Sequence, residues 1–336
     1  MGFSSQAGQA IFRSQTVNGT YNADTGTAGV AMKLRDGALA PSRTLMIPDP
    51  EIGGGRDIAD AYLGGVSWSG DYNFYARLES LAVLLKGALG IVDSQVDMPV
   101  AGANTHTFTP SDAAQLPFFS LEEAIGSGLE VYHYTDVVMN TLHLEAEASG
   151  YLQGTVGLIA KNQVAGQVRT ASPQWDDGPM LVGTNITLTY NGVNVGAKKF
   201  SFDLNNNFAS DDYRLGSFFI GDLTPTGREV MAGFTIREQD SAMWRQAVYG
   251  VSSATSPGGL TTKAPLVITM NTYEMVTGTT TGSLKIELPE FTINPYAYGA
   301  SGSTIIDSDL TGQALRPDPA TPIATVTVVS GSGTIA

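Results

Sequence analysis

His106, His133 and His143 are the only imidazoles in this chain of 336 residues, and it has no cysteine. Without a thiol, disulfides, thiolate metal centres and cysteine nucleophiles are excluded. A zinc-type helical pair needs two histidines four residues apart, and no two here have that spacing. His143-Leu-Glu145 puts an imidazole and a carboxylate on one side of an extended segment, which reads as polar strand positions and not as an acid–base or metal site. Neither a Gly-x-Ser-x-Gly elbow nor a phosphate loop ending in Gly-Lys-Ser/Thr occurs. Gly53-Gly-Gly55 follows no Rossmann-like strand and opens no clear helix, so it reads as a flexible loop. The 32 acidic residues offer many carboxylate pairs. A glycosidase needs two at a set separation in space, which sequence spacing does not supply. Asn18-Gly-Thr20 and Asn185-Ile-Thr187 match glycosylation sequons, but Met1 to Gln15 has no basic stretch followed by an apolar core, so no secretory signal is read. No catalytic residue, cofactor or metal is expected.

The bulk numbers point to a surface shared with other molecules. Hydrophobic residues make up 42% and charged residues only 15%, against about 25% charged in ordinary soluble domains. With 39 glycines and frequent Ser and Thr, the chain favours many short strands joined by turns. A free monomer normally keeps more surface charge, so part of this surface is expected to be covered by other copies. The net charge of −14 repels phosphate and argues against tight nucleic-acid binding; it fits a wall past which DNA slides and an ordinary acidic surface alike. No apolar run reaches the roughly 18 residues of a membrane span; Leu81 to Val92 is too short and carries Lys86.

The elements that position these residues are mostly strands. Residues 1–40 read as an arm or long loop with one strand near Val30–Leu34. Pro41, Pro48 and Pro50 punctuate an extended stretch. A strand at Ala61–Ser69 leads into a helix over Tyr72–Leu89, with Asp71 as N-cap, Gly90 as the stop, and Leu78, Leu81, Leu85 and Leu89 at helical spacing. In Asn140–Ala148, Leu142, Leu144 and Ala146 alternate with His143, Glu145 and Glu147. Tyr151–Ala160 pairs back, making a long hairpin with one dry and one acidic face. Residues 161–180 form a polar linker. Phe200, Phe202 and Leu204 alternate with Ser201, Asp203 and Asn205. A strand at Arg228–Arg237, a helix over Ser241–Tyr249, and a hairpin of Pro265–Met275 with Ser283–Ile293 follow. Residues 299–336 read as a polar tail with one strand-like stretch, Ile323–Val329. Trp68 and Trp244 read as core; Trp175, in the linker, reads as an interface anchor.

Strand, acidic residue, helix and hairpin thus come in the same order twice, which suggests duplication. Glu145, Glu147 and His143, with Asp203 and Glu287, are candidates for a special polar wall. Alternation alone leaves that wall and an ordinary solvated outer face equally open.

Several stretches resemble tail tube proteins (major tail proteins) of bacteriophages with long non-contractile, siphovirus-type tails. They are Ala61–Gly90, Leu116–Ala160 with Pro117-Phe-Phe-Ser-Leu-Glu-Glu123, and Lys199–Arg237 with Tyr213-Arg-Leu-Gly216. The resemblance covers roughly residues 40–295. It implies a mainly β fold, a tandem pair of tail-tube-type β-sandwich or barrel units, each with a flanking helix, whose long hairpins join neighbours into an inner β-barrel. The units would be 41–170 and 171–298, between an N-terminal arm, 1–40, and a C-terminal arm, 299–336. It implies a structural, non-enzymatic virion component, assembled in the host cytoplasm into stacked rings around a lumen lined by His143, Glu145, Glu147, Asp203 and Glu287. Tyr296, Tyr298, Ile323, Val326 and Val328 would bridge rings. On this reading, deleting residues 299–336 weakens stacking more than folding. Its partners would be itself, the tape-measure, tail-tip and tail-terminator proteins, and double-stranded DNA in passage. The length favours a trimeric ring with pseudo-sixfold symmetry over a hexamer. Other readings are a baseplate ring or secretion-tube protein, a carbohydrate-binding adhesin sandwich and, last, a β-rich hydrolase.

Overall fold

The computed structural model describes residues 5–23, 29–53, 57, 58, 60–126, 128–297, 305–332 and 335. Alternating apolar residues form the strands, and Gly-, Asn- and Pro-containing turns end them. In chain order these are β1 (Gln9–Ser14), β2 (Gly29–Met32), β3 (Leu34–Gly37), β4 (Ala40–Met46) and β5 (Tyr62–Tyr75), then helix α1 (Leu78–Leu89). Next come β6 (Gly90–Gln95), β7 (Asn104–Pro110), β8 (Phe119–Ile125), β9 (Glu130–Glu147) and β10 (Gln153–Val164). The later strands are β11 (Ile186–Tyr190), β12 (Val193–Asn194), β13 (Lys199–Asn205), β14 (Phe208–Ala209), β15 (Thr224–Pro225) and β16 (Glu229–Arg237), followed by helix α2 (Ala242–Tyr249). β17 (Ala264–Thr277), β18 (Thr280–Ile293), β19 (Asp307–Leu315) and β20 (Thr325–Ser330) complete the series. The mainly β expectation holds.

Among the described residues eighteen strands share one antiparallel network, and β14 and β15 pair separately. Its main path runs β4–β5–β10–β9–β13–β16–β19–β18–β17–β11–β12. Two long strands change partners partway. β9 pairs with β8 through Val137 and with β13 from Thr141 onward. β18 pairs with β20 over Ser283–Glu287 and with β19 over Glu290–Ile293. The strands on either side of residue 170 therefore share one network, through β9 and β13, and one apolar core.

Helix α1 is wrapped by that core. Leu81, Leu84, Leu85 and Leu89 are all 0% exposed, each contributing up to about 1.5–3 kcal/mol by burial. Gly87 is small because a Cβ there would stand 2.4 Å from the Met139 Sδ. The helix start is capped from far away: the Asp176 carboxylate, 1% exposed, accepts from both the Ser80 backbone N and its hydroxyl at 2.7 Å. At the other end Gly90 has φ 94° and allows the chain to turn into β6.

The structure corrects several sequence-based expectations. The helix begins at Leu78, not Tyr72, because β5 continues to Tyr75 against β10. Tyr72 and Phe74 fit both a helical and an alternating pattern, and pairing with Val156 and Gly154 settles them as strand. Asp71 is an exposed strand residue and caps nothing; the polar linker supplies the cap instead. The N-terminal segment is not only an arm: β1 is inserted between β2 and β8 with Ala10, Ile11 and Phe12 at most 1% exposed. It is held there by Arg13, which forms a buried ion pair with Glu122 at 3.5 Å. Nor is 299–336 an arm throughout. β19 lies between β16 and β18, and β20 lies between β18 and β7. These strands are Thr-, Ser- and Gly-containing, which made them resemble a tail, but each alternate residue is buried.

Candidate functional site

The outward side of the β5–β10–β9–β13–β16–β19 sheet forms a continuous polar face. Strand alternation turns Leu142, Leu144 and Ala146 into the core and leaves His143, Glu145 and Glu147 outside. The register puts Asp203 opposite His143, Ser201 opposite Glu145 and Lys199 opposite Glu147. His143 Nδ1 lies 2.6 Å from Asp203 Oδ1, and Lys199 Nζ lies 3.0 Å from Glu145 Oε2. The hydrogen bond to Asp203 holds the imidazole pKa above its ordinary value, helped by the Asp203 and Glu145 charges and opposed by partial burial. Farther along, Thr235 donates to Asp309 at 2.5 Å, and Arg237 reaches Asp307 at 3.2 Å. Carboxylates outnumber cations here: Asp71, Glu145, Glu147, Asp203, Asp307 and Asp309 face out with Lys199 and Arg237, and Lys198 reaches Asp307 as well. Gly157 keeps the wall level, since a Cβ there would meet the Thr141 hydroxyl at 2.2 Å and Asp71 at 2.9 Å.

A second feature is a bare ribbon. All seven residues of β4 are exposed, and among the described residues β4 pairs only with β5. Leu45 opposes Leu63 and Met46 opposes Tyr62, and all four are at least half exposed. Exposure of consecutive residues means that both faces of the ribbon are uncovered. Its root is braced by the loop between β14 and β15: the Val66 N–H donates to the Phe218 carbonyl at 2.8 Å, and Phe219 stacks on Trp68. Arg43 lies over the Phe218 ring at 5.7 Å. Large apolar residues on an unpaired edge mark a surface that another chain covers.

Of the residues singled out from sequence, His143, Glu145, Glu147 and Asp203 come together on the polar face. Glu287 does not join them: it sits on β18 between Val267 and Thr325 and pairs with Lys285 at 2.7 Å. Tyr296 is half-buried and its hydroxyl donates to Glu238 at 2.8 Å. Ile323 packs against the core, and Val326 and Val328 are 0% exposed inside it. Tyr298 lies outside the described residues. His106 and His133 are apart from the polar face: His106 is buried against Ser94, and His133 stacks on Tyr21.

Sequence reasoning missed Lys199, Asp307 and Asp309 as parts of the face, because only the register places Lys199 beside β9 and the two aspartates beside β16. It also missed the ribbon, although Leu45, Met46 and Ile47 between Pro41 and Pro48 form an apolar run with no polar alternation. Among the described residues no group of three His, Cys, Asp or Glu is placed to hold a metal ion, and no helix is long and apolar enough to cross a membrane. Compared with protein-family models, the chain matches the one described as phage tail tube protein over residues 8–314. No curated protein matches it.

Proposed function

This chain belongs to the phage tail tube protein family, and from that premise we propose that it self-assembles into stacked rings forming the hollow tube of a phage tail, through which the genome passes into the host. The observation that carries the proposal is the pairing of a broad acidic sheet face with an exposed apolar ribbon on one chain. The face is the lumen wall. Its carboxylates repel the DNA backbone, so DNA is conducted without being held. The ribbon and the free edge of β4 are the contacts between copies, because strand addition and apolar burial together supply directional association. Three copies, each contributing sheet segments from both halves of the chain, close a ring of pseudo-sixfold character, with a six-copy ring as the alternative. Tape-measure, tail-tip and tail-terminator proteins bound the tube inside and at its ends. The family is structural, and the chain acts by assembling and not by catalysis.

Electron microscopy of the purified chain over a concentration series tests this. Hollow tubes with a regular axial repeat are expected. Closed single rings at every concentration, with no tube formed on adding a tail-tip complex, overturn the tube in favour of a baseplate ring. Tubes of Glu145→Lys, Glu147→Lys protein should retain double-stranded DNA at low salt while native tubes do not. Equal retention by both places those residues away from the lumen.

A further inference from the structure

A cavity of about 730 Å³ opens between β1, β3 and the end of β8. That volume falls within the roughly 300–1,000 Å³ of small-molecule sites. One of its walls carries Glu123, only 8% exposed. The Tyr134 hydroxyl donates to one Glu123 oxygen at 3.0 Å, and no lysine, arginine or histidine among the described residues forms an ion pair with this carboxyl. Tyr72 lines the same cavity and is 1% exposed. Trp175 also lines the cavity and stays partly open. At the mouth, Lys33 is paired with Asp177, and Arg35 donates to Gln153 and lies over Tyr75 at 5.1 Å. Both cations are therefore occupied, and Asp36 and Asp177 line the same rim.

A buried carboxyl without a cation is unfavourable, and burial raises the Glu123 pKa despite hydrogen bonds from tyrosine. Its neighbour Glu122 shows the contrast: it has Arg13, Gln9 and Thr170 around it. The missing partner on the Glu123 side is a positive group. A metal ion would need more ligands than the cavity offers. Tyrosine and tryptophan rings beside a carboxyl suit an organic cation, which gains from both the charge and the aromatic faces. We propose that this cavity is a binding site for an alkylammonium group, with the ammonium at Glu123 and the alkyl stem against Trp175 and Tyr72. The group comes either from a free small amine or from a lysine side chain of a second copy. The site does not depend on the tube reading.

The test uses the full chain below its assembly concentration, titrated with 1,4-diaminobutane and followed by tryptophan fluorescence and by thermal midpoint. Saturable binding is expected, weakened about tenfold or more by Glu123→Gln, which is the loss of about 1.4 kcal/mol or more. Glu123→Gln keeps the shape of the side chain; Trp175→Leu, which keeps the carboxyl and removes the ring, is the second variant and should weaken binding less. No saturation in the native chain, or equal binding by Glu123→Gln, overturns the site. If the natural occupant is a lysine of a second copy, diaminobutane slows assembly of the native chain and not of Glu123→Gln. If it is a free amine, the thermal midpoint rises and assembly is unaffected.

Discussion

Removing β20 should unfold this protein and not merely loosen its contacts with neighbours. β20 fills the gap between β18 and β7, pairing Ser283–Glu287 on one side and Asn104–Phe108 on the other. Val326 and Val328 are 0% exposed, whereas Thr327 between them faces out. Val→Ala deletes two buried carbons, about 1.6 kcal/mol at 0.8 kcal/mol each, and the cavity left behind raises this to about 2 kcal/mol. The two valines are neighbours on one face, so the double variant should lose about 4 kcal/mol with some coupling. Thr327→Ala should stay within about 0.5 kcal/mol of the native chain. Urea unfolding of the unassembled chain reads these directly. With a slope near 3 kcal/mol/M, each valine variant lowers the midpoint by roughly 0.7 M and Thr327→Ala hardly at all. A chain ending at Leu315 should show no cooperative transition. If that truncated chain unfolds at the native midpoint, or if Thr327→Ala and Val328→Ala shift it equally, the strand is not the core element described above.

Three more expectations concern the surface and the buried charges. His143 has a raised pKa, so its contribution to stability is fully present below its unfolded value, about 6.5, and is lost as pH rises through the folded value. The denaturation midpoint of the native chain should therefore fall more between pH 5.5 and 8.5 than that of Asp203→Asn; parallel curves would show that the pair does not matter. Glu122 responds with the opposite sign. Burial pushes its pKa up, but hydrogen bonds from Thr170 and Gln9 and the Arg13 charge outweigh burial and hold it low. Its stabilising effect is lost on acidification through that low value. Glu122→Ala, which strands buried Arg13, should cost about 3–5 kcal/mol, and a loss under about 1 kcal/mol in urea unfolding would refute that. Leu45→Ser with Leu63→Ser should leave circular dichroism and midpoint unchanged but abolish sedimenting assemblies; normal assembly would release the ribbon from its role.

How much of this was readable beforehand depended on the range of the pairing. The β9–β10 hairpin was legible because strict alternation from Leu142 to Glu147 and a Gly-marked turn are both local signals. The leucines of α1 announced a buried helix for the same reason. Its first turn was misplaced because Tyr72 and Phe74 satisfy two periods at once, and only β10, far along the chain, decides between them. β1 was not seen as a strand, and β20 was seen as strand-like, over Ile323–Val329, but not as part of the core. Their partners, such as Glu122 for Ile11 and His106 for Val328, lie more than a hundred residues away, and short strands within polar stretches look like arms until those partners are known. On the polar face the members from β9 and β13 were found, since each strand alternates on its own. Which of them sit side by side was a matter of register, and Glu287, polar and alternating like the rest, proved to be on a different part of the surface.

The position of β20 also sets a clock. β7 emerges from the ribosome long before β20, and β18 shortly before it, so a nascent chain holds an open slot between them until its final strand arrives. Contacts so distant in sequence form late, and until then two unsatisfied strand edges stand ready to recruit the wrong segment. If the chain stacks on itself as proposed, it is most at risk while half-made. Placing a late-translated strand in the middle of the sheet means that chains still in synthesis lack the finished shape that the proposed assembly would need.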